Sequence, residues 1–215
     1  MGAIEAWRAL DEPWRVCLQE AWESWCDGSA GVGAVIVDDQ RTIVARGRNR
    51  RHDARRNEGA LAGTPLAHAE MCALAALPPG SCKRYTLYTS FEPCLMCAGA
   101  ILISHIPRVH YAAADPLFDG MQEWLGALPY ASARLPEREC LGGPIGVFAH
   151  VLHLSWLAFW IGDGPVLAPH QTLAPLQHAL AFDIVEAGRL ALVVEARGTV
   201  TDALDVLWPD LVSLG

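Results

Sequence analysis

Four side chains in two short stretches are of the types that hold and use a metal ion. His68 and Glu70 lie in TPLAHAEMCALAAL, and Cys94 and Cys97 lie in TSFEPCLMCAGAILIS. The two cysteines are three residues apart, so on a helix both sulfur atoms can reach one ion. A cysteine pair alone is also typical of a redox dithiol or of two unconnected core thiols.

The combination of the two stretches predicts a catalytic zinc site. One histidine and two cysteines leave a fourth coordination position open, which is typical of catalytic zinc. Glu70 is unsuited to a sulfur-rich ligand set but suits a general acid/base beside the metal. Pro93 predicts a helix whose first turn holds both cysteines, where the helix dipole favours the thiolate that binds zinc. Without the cysteine pair, HAE would be interpreted as a solvated glutamate and a surface histidine on an amphipathic helix.

These side chains must be positioned by alternating helices and strands. Periodicity and turn signals predict helices at 13–26, 65–77 and 93–104, and strands at 32–39, 42–49, 85–91 and 108–115. Alternation of strands with helices after Leu66 favours parallel pairing and a layered α/β sheet. Residues 116–146 are rich in proline and glycine, and 147–215 are predicted to be largely helical.

Composition narrows the class of protein. The 215 residues fit one domain with a small appendage, and 52% hydrophobic residues suffice for a core. A net charge of −8 argues against a general nucleic-acid coating protein.

We expect no secretory signal and no membrane span. The apolar run 147–162 carries His150 and His153 and is predicted to be a buried helix. Seven scattered cysteines favour a reducing, cytoplasmic compartment.

H-x-E followed by P-C-x-x-C is the signature of zinc deaminases, and the sequence resembles the cytidine deaminase-like superfamily of zinc hydrolases. GAVIV, GRNR, HAE and TSFEPCLMCAGAILISHIPRVHYAAAD are most similar to the tRNA adenosine deaminase and guanine deaminase branch. The resemblance covers roughly 14–115. It implies a three-layer α/β/α fold with a central mixed five-stranded sheet, one Zn²⁺ per chain and a homodimer. We expect a deaminase core at 1–115 and a helical extension at 116–215, packed on the core, with no family counterpart.

The resemblance also implies roles for individual residues. His68, Cys94 and Cys97 match the zinc ligands, and Glu70 matches the residue that shuttles protons. Asn49, in GRNR, matches an asparagine that hydrogen-bonds the base, although a residue that simply ends a strand is an alternative.

Three further positions are candidates for substrate binding. Ala69 matches a position whose backbone N–H meets the base. Asp115 matches an aspartate of the tRNA-editing relatives, and a helix cap is an equal alternative. Phe91 could stack on a base or fill the core.

The predicted reaction is hydrolytic deamination of a nucleobase or nucleoside, with a purine favoured and a pyrimidine or pterin-like ring as the alternative ring. The alternative is deamination of adenosine in tRNA, for which an arginine cluster could clamp phosphate or RNA. The cluster comprises Arg46, Arg48, Arg50, Arg51, Arg55 and Arg56. The alternative is that these arginines lie in a solvated loop and offset the acidic net charge of the protein. A third hypothesis is a non-catalytic zinc-binding module, against which the intact Glu70 argues.

Overall fold

The computed structural model describes residues 1–53, 61–162 and 164–215. The strands are β1 Gly33–Val37, β2 Ile43–Arg48, β3 Thr86–Phe91, β4 Arg108–Ala113 and β5 Glu137–Cys140. The first helices are α1 Ala3–Ala9, α2 Glu12–Cys26, α3 Ala69–Ala75 and α4 Leu95–Ile103. A short 3₁₀ helix at Pro116–Phe118 follows β4. The later helices are α5 Met121–Gly126, α6 Pro129–Ser132, α7 Gly143–Ile161, α8 Ala168–Leu173, α9 Pro175–Glu186, α10 Ala191–Glu195 and α11 Val200–Leu214.

The five strands form one mixed sheet in the order β2-β1-β3-β4-β5. β1 pairs antiparallel with β2 and β3, whereas the pairs β3–β4 and β4–β5 are parallel. The predicted mixed five-stranded fold is therefore confirmed. Its fifth strand, β5, lies after residue 115, so the expected extension supplies one edge of the sheet.

Two glycines let helices approach opposite faces of the sheet. A Cβ on Gly33 would lie 2.1 Å from the carbonyl oxygen of Cys17 in α2. A Cβ on Gly47 would lie 2.5 Å from the backbone nitrogen of Ala73 in α3. Gly47 is the register partner of Ala34, the neighbour of Gly33, and successive residues of a strand face opposite sides. Helices α2 and α3 thus cover different faces.

Helix α7 carries the extension onto the sheet. It was predicted at 147–162 as a buried helix, and 13 of its 19 residues are buried. Within the described part of the chain it is the one helix long and apolar enough to span a membrane, yet 67% of its most apolar window is buried in the protein. A Cβ on Gly146 would lie 2.5 Å from the carbonyl oxygen of Ala112, so α7 packs directly on β4.

Tryptophan side chains tie the extension to the first half of the chain. Trp25 Nε1 donates to Ser155 Oγ at 3.1 Å, and Trp156 Nε1 donates to the carbonyl of Gly28 at 2.9 Å. Trp22 Nε1 donates to the carbonyl of Gly198 at 3.0 Å. One continuous apolar cluster includes residues of α2, the sheet, α7 and α11. The extension therefore shares the core of the sheet.

Candidate active site

The four candidate residues stand at the starts of two helices. His68 is the N-cap of α3, and Glu70 lies in the first turn of that helix. Cys94 is the N-cap of α4, and Cys97 is the third helical residue. Both helices begin later than predicted, because His68 and Cys94 have extended backbones and Pro93 precedes the helix rather than opening it. As caps, they direct their side chains across the helix starts.

His68, Cys94 and Cys97 converge at one point. The Nδ1 atom of His68 lies 3.5 Å from Cys94 Sγ and 3.6 Å from Cys97 Sγ, and the two sulfurs are 3.6 Å apart. In the described ranges this is the one group of three such residues that could hold a metal ion. One imidazole nitrogen and two sulfurs are ligands that zinc prefers, and three of them leave a position open. The residues fit zinc.

The protonation states of the two cysteines also favour a bound cation. The hydrogen bond from Cys97, assisted by His68, lowers the pKa of the Cys94 thiol to about 4. The same hydrogen bond to Cys94, together with burial, raises the pKa of the Cys97 thiol. Only one thiolate is therefore stable in the protein alone, and a divalent cation would allow both, since zinc binds thiolates.

Glu70 lies directly beside this group and is almost completely buried. One carboxyl oxygen is 3.4 Å from Cys97 Sγ, and the other is 3.4 Å from the hydroxyl of Thr89. Burial, followed by the charge of Cys94, raises the pKa of the Glu70 carboxyl, while His68 opposes the rise. A carboxyl group that binds protons more tightly than usual suits proton transfer near neutral pH.

A cavity of about 250 Å³ opens onto the site. Its lining includes His68, Glu70 and Cys94. Residues outside 1–115 form a substantial part of the wall: Leu117, Phe118, His153, Trp156, Leu157, Val166 and His170. The extension thus covers the pocket with mainly apolar side chains.

Asn49 lines this cavity and is buried. Its Oδ1 accepts a hydrogen bond from the backbone N–H of Arg51 at 3.1 Å, and its own N–H donates to the carbonyl of Val32 at 2.9 Å. Within the described ranges its Nδ2 has no protein partner, so this amide group can donate to a ligand. Ala69 is buried as the first residue of α3 and is not among the described lining residues.

Phe91 and Asp115 both line the cavity and are both buried. The Phe91 ring packs on His153, with ring centroids 4.5 Å apart, and on His150 at 5.3 Å. Asp115 caps the short 3₁₀ helix, since its Oδ1 accepts from the N–H of Leu117 at 2.9 Å. Burial raises the pKa of the Asp115 carboxyl to about 7.

The sequence interpretation missed the histidines and Trp156 of the extension. Their signal was present, since His150 and His153 stand one turn apart in an apolar helix, and buried histidines need a structural or chemical reason. In the sequence alone, these two histidines argue only against a membrane span.

Three of the four arginines of the cluster that the structure describes form ion pairs. Arg48 lies 2.5 Å from Asp27, Arg50 lies 2.7 Å from Asp53, and Arg46 lies 3.7 Å from Glu20. Arg51 lines the cavity. The remaining two arginines, at 55 and 56, lie outside the described residues.

The four candidate residues of this site lie in the part of the chain that is similar to known proteins. A family model for the cytidine and deoxycytidylate deaminase zinc-binding region matches residues 9–113. A cytosine deaminase of Candida albicans is 33% identical over 133 residues, which cover 59% of this chain and 81% of that protein. The chain belongs to this deaminase family. Its members are hydrolases that act on C–N bonds, and its zinc-binding region together with the His/Cys/Cys group confirms the zinc cofactor.

Other relatives within this deaminase family differ in substrate. A tRNA-specific adenosine deaminase of Haemophilus influenzae is 39% identical over 106 residues, 47% of this chain and 56% of that protein. The Bacillus subtilis protein of the same name is 36% identical over 103 residues, and the match covers 58% of it. The chain thus spans little more than half the length of these two. A guanine deaminase structure from Nitrosomonas europaea shares the fold, with TM-score 0.50 and 20% identity over 68% of this chain and 83% of that one.

Proposed function

We propose that this deaminase releases ammonia from an amino-substituted nucleobase or nucleoside, with a purine favoured. The observation that carries the proposal is the cavity beside His68, Glu70 and Cys94, which side chains of the extension close over. A small apolar-walled cavity with a few convergent polar groups is the usual form of a small-molecule site. The relatives named as tRNA-specific adenosine deaminases, whose base is a purine, support the choice of ring.

In this proposal His68, Cys94 and Cys97 hold one zinc ion. When bound, zinc supplies a Lewis acid that makes water acidic enough to be a nucleophile near neutral pH. Glu70 takes a proton from the attacking water at a carboxyl oxygen and delivers it to the ring nitrogen. A C–O bond forms at the amino-bearing carbon, its C–N bond breaks, and Glu70 passes a proton to the departing ammonia.

Three groups position the ring. The Nδ2 of Asn49, which has no partner among the residues that the structure describes, donates to a ring or carbonyl acceptor. The buried N–H at the start of α3, at Ala69, is a second donor. Asp115 offers a carboxylate oxygen to an N–H of the ring. Phe91, held between the buried histidines, shapes the wall rather than stacking freely, because it is only 3% exposed.

Deamination of adenosine in tRNA is the second candidate. It is favoured by the relatives from Haemophilus influenzae and Bacillus subtilis that carry this name. Against it stand the net charge of −8 and the ion pairs that engage three of the cluster's arginines. RNA binding depends on free cationic groups at the surface.

A substrate panel tests the proposal. Ammonia release is measured with the zinc-loaded protein on adenine, guanine and cytosine, as bases, nucleosides and monophosphates, and on a tRNA anticodon stem-loop. Release from a free base or nucleoside is the expected result. Release from the stem-loop alone would contradict the proposal and establish the second candidate.

We also propose that the protein works in the cytoplasm as a homodimer. None of the seven cysteines is in a disulfide, which supports a reducing compartment. Ile103, Trp124 and Tyr130 are more than half exposed and give apolar surface that a second copy could cover. Light scattering in solution tests the dimer, and a monomer at micromolar concentration would contradict it.

A further inference from the structure

A buried row of polar side chains runs from the cavity into the extension. His170 Nε2 lies 3.4 Å from Asp115 Oδ1, and His170 Nδ1 lies 3.1 Å from His150 Nε2. All three side chains are buried, and Asp115 and His170 line the cavity. His150 belongs to α7 and His170 to α8, so the row joins the end of β4 to two helices outside the family match at 9–113.

The two oxygens of Asp115 have different environments. Oδ1 faces both described partners, the N–H of Leu117 at 2.9 Å and the ring of His170. Within the described part of the chain, Oδ2 has no protein partner. The N–H of Leu117 holds Oδ1 by a hydrogen bond, and the His170 ring lies close enough to the same oxygen to limit rotation of the carboxylate. The other oxygen is then available to a ligand in the cavity.

The row is not a second metal site. The two nitrogens of His170 face different partners, so Asp115 and His150 contact opposite edges of one ring. In the described ranges the one metal-competent group is His68, Cys94 and Cys97. Burial lowers the pKa of His150 to about 3 and of His170 to about 4, so both rings are neutral at pH 7. Each therefore carries one N–H.

We propose that His170, braced by His150, is a positioning residue that holds Asp115 so that its Oδ2 accepts a hydrogen bond from a second N–H donor of the substrate ring. The N–H of His170 is then on Nε2, toward Asp115, and its Nδ1 accepts from Nε2–H of His150. The extension thereby selects rings that carry a donor besides the amino group that is lost. This inference rests on the proposed function for its substrate class.

Binding of two matched rings tests the selection. Adenosine and 2,6-diaminopurine riboside differ by one amino group, and because the sugar occupies N9 in both, adenosine has no N–H donor on its base besides the amino group that is lost. Calorimetry at about pH 8 on the zinc-loaded Glu70→Gln protein measures their Kd without turnover. We expect 2,6-diaminopurine riboside to bind about tenfold more tightly, as a hydrogen bond to a charged group allows. Adding His170→Leu should reduce that preference to less than about threefold. His170→Gln, which retains a donor toward Asp115, should keep it.

His110→Gln is the matched control, since His110 packs on Tyr88 within the sheet and is not among the described lining residues. It should leave the preference unchanged. Equal preferences in the His170→Leu and His170→Gln proteins would overturn the proposal, as would equal binding of both rings by the parent protein.

Imidazole signals in ¹⁵N-histidine spectra test the row without any substrate. We expect exchange-protected Nε2–H protons on His150 and His170, and loss of the His170 signal in Asp115→Ala. Rapid exchange of both protons in the unaltered protein would overturn the row. If the protons are protected but no base or nucleoside releases ammonia, the proposed function fails while the positioning of Asp115 stands.

Discussion

Gly47 determines how closely α3 approaches the sheet, and Gly47→Ala should therefore damage the site from a distance. The added methyl group would lie 2.5 Å from the backbone nitrogen of Ala73 and 2.6 Å from the carbonyl oxygen of Ala69. Real Cβ contacts essentially never fall below 3.0 Å, and both neighbours are backbone atoms. Helix α3 must move outward by about 0.5 Å or more, taking His68 and Glu70 with it.

The displacement has two measurable consequences. Overpacking of this kind costs about 1–3 kcal/mol of the free energy of unfolding. A misplacement of about 1 Å costs about a hundredfold in rate, so we expect kcat/KM to fall by about tenfold to a hundredfold. Chemical denaturation, zinc content and ammonia release measure these effects.

Gly99→Ala in α4 is the matched control. Apart from its own helix backbone and chain neighbours, no atom lies within 4 Å of the Cβ that it adds, and alanine stabilises a helix interior by about 0.5–1 kcal/mol. It should keep zinc and activity. A Gly47→Ala protein with normal kcat/KM and normal stability would refute the close packing of α3 on β2 as the reason for this glycine.

Three further predictions concern single side chains. Cys94→Ala should lose zinc and turnover together, as metal analysis will show, whereas the exposed Cys140→Ala should lose neither. Asp115 has a pKa raised from 3.8 to about 7, so the folded state binds its proton more tightly than the unfolded state and stability falls as pH rises across that interval. Asp115→Asn should therefore raise the free energy of unfolding by up to about 4 kcal/mol at pH 8 and change it little at pH 4. Urea titrations measure this difference, and an equal effect at both pH values would contradict the prediction. The Ser24 hydroxyl lies 2.6 Å from the carbonyl oxygen of Ala30 and 2.7 Å from that of Asn49. Ser24→Ala should therefore reduce the free energy of unfolding by about 1–3 kcal/mol and weaken substrate binding. Unchanged stability would contradict a role for Ser24 in holding the backbone at Asn49.

The local motifs predicted the chemistry well because their spacing is short. His68 and Glu70 are two residues apart, and Cys94 and Cys97 are three apart, so each pair needs only one helix start to be placed. The four core strands have clear alternation or apolar runs and were found within a few residues. Helix starts were less accurate, since the caps at His68 and Cys94 are extended residues inside helix-like patterns.

The sequence predicted a buried helix and packing on the core for the extension, but not which of its residues reach the sheet edge and the cavity. β5 is a four-residue edge strand, EREC, that has no apolar alternation and is largely exposed. The position of β5 depends on its parallel pairing with β4, in which Val109 is the partner of Arg138, for example. No local sequence pattern indicates this pairing. The same holds for His170 and Trp156, which reach the cavity only because α7 packs on β4. Long-range packing therefore supplied the part of the site that most bears on substrate.

Ammonia release by the unaltered protein and by Glu70→Gln, compared at equal zinc content, tests whether Glu70 carries the proton. The substrate is the base or nucleoside that the panel identifies, and Glu20→Gln, outside the cavity, controls for loss of a carboxylate. We predict one zinc per chain in all three proteins and a rate reduced about 10²–10⁴-fold in Glu70→Gln alone. A Glu70→Gln protein that retains zinc and near-normal ammonia release would contradict the assignment of Glu70 as the proton carrier and, with it, the proposed reaction.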